Sequence, residues 1–323
     1  MDGRRSYLRF LFMKKNKKIL KYALKSFVSL GFIIWIIFKT NWPEVLFYLT
    51  KIDWWLIIFY VLVLILSLVI ASYKWKMLAQ FKGLDFSLKY FFNLYLTGTL
   101  INNFMPSFVA GEAYKAYEIA KPQKKYFEAT STVIMDRLTG LAAAMILALV
   151  FSAINYKVLL RNNFLMTVDV LIIISLLIDI AITQLKKISL LRHWVMKILP
   201  DQAVRFLQHI YNYSNNTSII KKAVLWSILY SFIGVAFLNY ILFWALGISV
   251  GFVNYMSVVF LISIISALPL TIDSIGLKEW AYIALFGLFG VGSGAALAVS
   301  VVSRFLQILV SLGALPFYLK NKK

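Results

Sequence analysis

The chain has no cysteine, only two histidines, and 13 acidic residues among 323. Without cysteine there is no disulfide, no thiolate nucleophile and no cysteine-ligated metal, so the redox compartment leaves no mark on the sequence. His193 and His209 are 16 residues apart, which is no ligand spacing, and both read as surface residues. No Asp-x-Asp pair occurs, which counts against sugar-nucleotide chemistry. Neither a metal nor any other cofactor is expected. Also missing is a polar stretch long enough to fold as a separate catalytic domain.

What is abundant is apolar. Hydrophobic residues make up 61% of the chain and charged ones 15%, with a mean hydropathy of +0.80, where a soluble domain carries about 25% charge. The expectation is an all-α polytopic membrane protein of the cell membrane. The net charge of +21 would suggest nucleic acid in a soluble protein. No zinc-finger or aromatic RNA-binding signature accompanies it, so no nucleic-acid partner is expected. Basic residues collect instead at cytoplasmic membrane faces.

Met1 to Lys25 holds nine Lys/Arg and one acid, and the chain then turns apolar from Ser26 to Phe38. Lys39-Thr-Asn-Trp-Pro follows without a small-x-small cleavage site, which reads as an uncleaved signal anchor with its N-terminus inside. Further apolar segments are Trp54 to Ser72, Tyr90 to Met105, Phe127 to Ile154, Phe164 to Leu185, Ala223 to Leu246, Phe252 to Leu270, Trp280 to Gly290 and Ala295 to Leu319. A spanning helix needs about 20 residues, and Tyr90 to Met105 and Trp280 to Gly290 fall short.

Charge placement selects a topology. If all nine segments cross, 15 Lys/Arg lie inside and 16 outside. If Tyr90 to Lys121 and Phe252 to Gly290 instead dip in and return from opposite sides, 27 lie inside, four outside and three within the membrane. The positive-inside rule prefers the second arrangement. The expected architecture is therefore six full transmembrane helices and two re-entrant helical hairpins, with both termini cytoplasmic.

Each half then reads helix, helix, hairpin, helix, and the second half is inserted upside down. Repeat one covers about 26–154 and repeat two about 164–319, within a single transmembrane domain at 26–319. Basic tails lie at 1–25 and 320–323. Pro106 and Pro269 are 163 residues apart, Gly111 and Gly276 165, Glu112 and Glu279 167, and Arg137 and Arg304 167. Transporters with inverted repeats and broken helices build a central site in this way. The stretch 186–222, with Trp194 and Phe206, reads as an amphipathic cytoplasmic linker.

Two motifs fall at the hairpin turns. In Asn102-Asn103-Phe-Met-Pro106 through Gly111-Glu112 to Lys115, one half-helix ends and another begins, its free N–H groups pointing into the membrane. Glu112 either caps that terminus or serves a ligand, and the asparagines either satisfy broken backbone or bind. Pro269-Leu-Thr271-Ile-Asp273-Ser274-Ile-Gly276-Leu-Lys278-Glu279 repeats the logic from the other side. Asp136-Arg137 and Arg304 sit at mid-bilayer depth, where a charge costs about 2.5–3.5 kcal/mol and faces a bundle interior. They mark a pathway or form ion pairs with Glu112 and Glu279. Asp169 and Asp179 point to different faces of one helix, leaving a proton relay open. Trp42, Trp54, Trp55 and Trp75 read as interface anchors, and the glycines from Gly287 to Gly294 as a turn.

The chain resembles the lysylphosphatidylglycerol-synthase transmembrane-region, or flippase-like domain, family. Asn103-Phe-Met-Pro106, Gly111-Glu112 and Lys115-Ala-Tyr117 look like its N-x-x-P, G-[DE] and Arg-Ala-Tyr pattern. Met135-Asp136-Arg137-Leu-Thr-Gly140-Leu is similar to D/E-R-x-x-G-L, and the Pro269 to Glu279 motif to P-x-S-x-G-G-x-G-x-R-E. Here Asp273-Ser274 stands where the family pattern has Gly-Gly, and Lys115 and Lys278 stand where it has arginine.

The resemblance implies a membrane domain that binds and translocates lipids. The residues expected to contact substrate are Asn102, Asn103, Gly111, Glu112, Lys115, Asp136, Arg137, Thr271, Asp273, Ser274, Gly276, Lys278, Glu279 and Arg304. The expected ligand is a membrane lipid with an anionic headgroup: a phospholipid, glycolipid or polyprenyl-phosphate-linked lipid. Family members with a soluble synthase half transfer lysine to phosphatidylglycerol, and no such half is expected here. A separate soluble synthase or glycosyltransferase is a candidate partner. The alternative function is a lipid-modifying transferase, with Glu112 or Asp273 as base.

Overall fold

The computed structural model describes residues 26–105, 109–184, 208–213, 215–268 and 270–321. The readings on residues 1–25, Pro106, Pro269, His193, Trp194, Phe206 and the last two lysines lie outside them, as does the side chain of Asp179.

Among the described residues the fold is all helix. α1 (Ser26–Lys39) meets α2 (Trp42–Thr50) at an 84° bend. Asn41 makes that corner by accepting from the Glu44 N–H, with Pro43 in the first turn. Asp53 caps α3 (Trp54–Phe81) and Ser87 caps α4 (Leu88–Phe104). α5 (Ala110–Ala120), α6 (Tyr126–Ile154), α7 (Tyr156–Leu159) and α8 (Asn163–Gln184) follow. α9 (Thr217–Ala245) begins at Asn216 and contains a π-helical stretch, Ser231–Phe237. α10 (Phe252–Ala267), α11 (Leu277–Gly287), α12 (Ser293–Leu312) and α13 (Leu315–Asn321) complete the chain.

α3, α6, α9 and α12 are each long and apolar enough to cross a bilayer, and α1 with α2 makes a bent fifth candidate. Leu62, Ile65 and Leu66 on α3, and Leu171, Ile173 and Leu177 on α8, turn outward. Water would not tolerate such a belt, and lipid does. The protein is a multi-pass membrane protein.

Hydropathy ends the second segment at Ser72, but α3 runs on to Phe81. Nothing between Tyr73 and Phe81 breaks a helix, and the first left-handed residue is Gly83, at φ +71°. Two readings change as a result. Lys74 is not a loop charge but a buried one. Trp75 is not an interface anchor: it is fully buried, donates to Thr132 Oγ1 at 3.0 Å and packs edge-on against Phe91. Trp42, Trp54 and Trp55 are exposed, as anchors are.

α4 with α5, and α10 with α11, fold back as helical hairpins. α10 lies along α6 and α4 lies against α12, so each hairpin packs on the long helix that follows the other one. Lipid supplies no hydrophobic drive between helices, so close packing must do so. α12 meets this with buried Gly294, Ala295, Ala296, Ala298, Ser300 and Ser303. Glu44 of α2 accepts from the Gly294 N–H at 3.1 Å, placing a carboxylate on the positive end of α12.

Candidate functional site

The break between α4 and α5 is stitched by its own side chains. Asn102 Oδ1 accepts from the Gly111 N–H at 2.8 Å, and Asn103 Nδ2 donates to Ser311 Oγ of α12 at 3.0 Å. Gly111 is required by contact: a Cβ there would lie 2.7 Å from the Gly98 carbonyl carbon and 2.8 Å from Asn102 Oδ1. In the first turn of α5, the Glu112 carboxylate holds two cations, Arg137 Nη2 at 2.5 Å and Lys115 Nζ at 2.8 Å. Lys115 is buried with its ammonium 4.1 Å from the centre of the Tyr95 ring.

The second hairpin turns through left-handed backbone. Asp273 and Ser274 are both left-handed, at φ 45° and 55°, a conformation that costs a non-glycine residue about 1–2 kcal/mol. That is why glycines suit these positions. Arg304 holds the turn: Nη1 donates to the Asp273 carbonyl at 3.1 Å and Nη2 to the Ser274 carbonyl at 3.3 Å. The Ser274 hydroxyl reaches back to the Ser266 carbonyl. Glu279 Oε1 accepts from Arg304 Nε at 2.9 Å while Oε2 accepts from the Gly276 N–H at 2.8 Å, Gly276 itself lying at φ 81°. Thr271 is buried, its hydroxyl without a hydrogen-bond partner among the described residues.

The pairs Arg137 with Glu112 and Arg304 with Glu279 thus recur at the matching positions of the two motifs. Asp136 makes its ion pair on another face of the helix. Successive helical residues point about 100° apart, so Arg137 faces the first hairpin while Asp136 faces α3. There it ion-pairs with Lys74 Nζ at 2.9 Å, both side chains being under 5% exposed. Lys74 also donates to the Asp136 carbonyl at 2.9 Å and to Ser227 Oγ of α9 at 3.1 Å.

These groups surround a cavity of about 690 Å³. Asn102, Asn103, Glu112, Lys115, Asp136, Arg137, Asp273, Ser274, Lys278 and Arg304 form part of its wall; Gly111, Thr271, Gly276 and Glu279 do not line it. Arg137 presents nearly half of its side chain, at 43% exposure. Asp169 lies elsewhere, accepting from Ser152 Oγ at 3.2 Å.

Sequence reasoning missed Lys74, Asn239 and Gln307, which also line the cavity. The signal for Lys74 was the uninterrupted helical stretch from Trp54 to Phe81. Asn239 and Gln307 are neutral residues inside apolar spans and left no signal that hydropathy registers.

Fold and site together define a class: an α-helical multi-pass membrane protein with a charge-lined cavity between two broken-helix hairpins. The chain belongs to the lysylphosphatidylglycerol synthase TM region family, whose sequence profile matches residues 22–314. It is similar to a UPF0104 membrane protein of Methanocaldococcus jannaschii, with 25% identity over 306 residues covering 89% of this chain and 87% of that one. No solved structure matches it. The family links the protein to lipid modification.

Proposed function

We propose that the cavity receives the phosphate-bearing headgroup of a membrane lipid and moves it from one leaflet to the other. The observation that carries this reading is that Arg137 and Arg304, each held by its own glutamate, line one cavity between the two hairpins. Charges at such depth are costly and are kept where a ligand or pathway uses them. A headgroup phosphate competes for the cations through charge-assisted hydrogen bonds. The glutamates keep the arginines oriented in its absence, so little reorganisation accompanies binding.

With both termini cytoplasmic and the hairpins entering from opposite sides, the cavity opens alternately to the two leaflets of the cell membrane. Phospholipids, glycolipids and polyprenyl-phosphate-linked lipids all carry the required group. A second reading is favoured by the family description: the cavity presents its lipid to a separate soluble synthase or glycosyltransferase.

Proteoliposomes of phosphatidylcholine with a trace of fluorescent phosphatidylglycerol test the translocation reading by dithionite quenching. Wild-type protein should raise the quenched fraction above one half, and Arg137→Ala and Glu279→Ala should return it to one half. Equal quenching by wild-type and variant proteins refutes translocation through this cavity.

A further inference from the structure

The two ends of the cavity are not chemically equivalent, although corresponding elements of the two halves build them. At the first, Lys74 of α3 meets Asp136 of α6 and Ser227 of α9, and cation and carboxylate neutralise each other. Shifting by 167 residues takes Asp136 to Ser303, and Tyr60 of α3 to Ser227. At the second end Ser303 indeed stands beside Tyr60, with oxygens 3.4 Å apart. A hydroxyl has replaced the carboxylate, yet a cation is still present: Lys278 Nζ lies 3.3 Å from Ser303 Oγ. Among the described residues, Lys278 is the cavity-lining cation with no carboxylate within ion-pair distance.

The hydrogen-bonding capacity of Ser303 is fully used. Its Oγ donates to Asn239 Oδ1 at 3.1 Å, which also accepts from Tyr282 OH at 3.0 Å. With its one hydrogen committed, Ser303 Oγ has two lone pairs. Two donors occupy them, Lys278 Nζ and Gln307 Nε2 at 3.1 Å, with Tyr60 OH 3.4 Å away. Lys278 and Gln307 each hold further N–H groups and line the cavity. The recess therefore carries a positive charge without a facing carboxylate and N–H groups beyond those Ser303 can take up, a match for an oxygen acceptor bearing negative charge.

We infer that this recess, headed by Lys278 and Gln307 around Ser303, is the subsite for a tetrahedral phosphate ester, and that ligand phosphate is received on the second half of the protein. The inference rests on the reading of the cavity as a lipid site and assigns its polar end. An oxyanion there accepts from the lysine and the glutamine amide at once and neutralises the lysine charge, which the Ser303 hydroxyl cannot do. The first end, already neutral, offers no comparable gain.

Full-length protein in nanodiscs of phosphatidylcholine is titrated by calorimetry with three probes: dihexanoyl-phosphatidylglycerol, sn-glycerol 3-phosphate and dihexanoylglycerol. Expected is saturable binding of the first probe, weakened about tenfold or more in Lys278→Met, as for loss of a charged hydrogen bond. Gln307→Leu should weaken it several-fold, and Lys278→Arg should restore it. Dihexanoylglycerol, lacking phosphate, should not bind. If Lys278→Met and Gln307→Leu bind dihexanoyl-phosphatidylglycerol like the wild-type protein, with unchanged melting temperatures, the recess is overturned and the lipid reading stands. If glycerol 3-phosphate binds as tightly as the lipid and is lost in both variants, the recess is supported and the lipid reading overturned. If the wild-type protein binds no phosphate ester, both are overturned.

Discussion

Replacing Lys74 by methionine keeps the bulk of the side chain and removes only its charge. The effect should be large because of what remains. Asp136 is 3% exposed, and its carboxylate has Lys74 as its ion-pair partner at 2.9 Å. The variant also deprives the Asp136 carbonyl and the Ser227 hydroxyl of a donor. Stranding one member of a buried pair costs about 3–5 kcal/mol, whereas exchanging both for apolar residues of similar volume is often neutral or stabilising. Lys74→Met should therefore lose about 3–5 kcal/mol, Asp136→Leu a similar amount, and the double variant far less than their sum. The cycle should show a coupling of about 3 kcal/mol or more, well above the threshold for interacting neighbours. Trp75, fully buried beside this pair, provides the fluorescence signal for unfolding in mixed SDS micelles. If the single variants unfold at the wild-type SDS fraction, or their losses simply add, Asp136 is not held by Lys74 and the assignment of α3 to the cavity wall fails.

Two further outcomes follow from the packing. Gly111→Ala should destabilise the protein by about 1–3 kcal/mol in the same assay, because the new methyl meets the Gly98 backbone rather than a side chain that can swing away; an unchanged midpoint would show that α4 and α5 do not cross this closely. Lys82, just beyond α3, donates to the His209 carbonyl at 2.7 Å, and burial depresses its ammonium to about 8. The folded state disfavours the charged form, so the penalty is fully present below pH 8 and is relieved as pH rises from about 8 toward the unfolded value of 10.5. The melting temperature should rise across that window relative to Lys82→Met, and parallel profiles would exclude the effect.

Much of the candidate site was legible before any fold was known. Gly111-Glu112 and Gly276 through Glu279 read as helix breaks with an acid in the new first turn, and both occur at such breaks. Arg137 and Arg304, at matching depth, were expected to meet these acids or a ligand, and each meets its glutamate. Such features are local: a glycine, a first-turn carboxylate and a charge inside an apolar run carry their cost wherever the helix is placed. By the same reasoning the composition with its long unbroken apolar runs determined an all-α membrane protein, since lipid admits only helices and closed barrels and a barrel strand needs only about ten residues.

Tertiary structure decided the partners. Lys74 and Asp136 are 62 residues apart, and Tyr60 and Ser303 are 243 apart. Hydropathy places Lys74 with the loop lysines because it averages along the chain, and it is blind to a helix face turned toward another helix. Whether a serine in an apolar span is mere packing or the centre of a donor-rich recess depends on which helices cross there. That crossing is set by close contacts among small residues such as those of α12, which leave only a faint trace in any single segment.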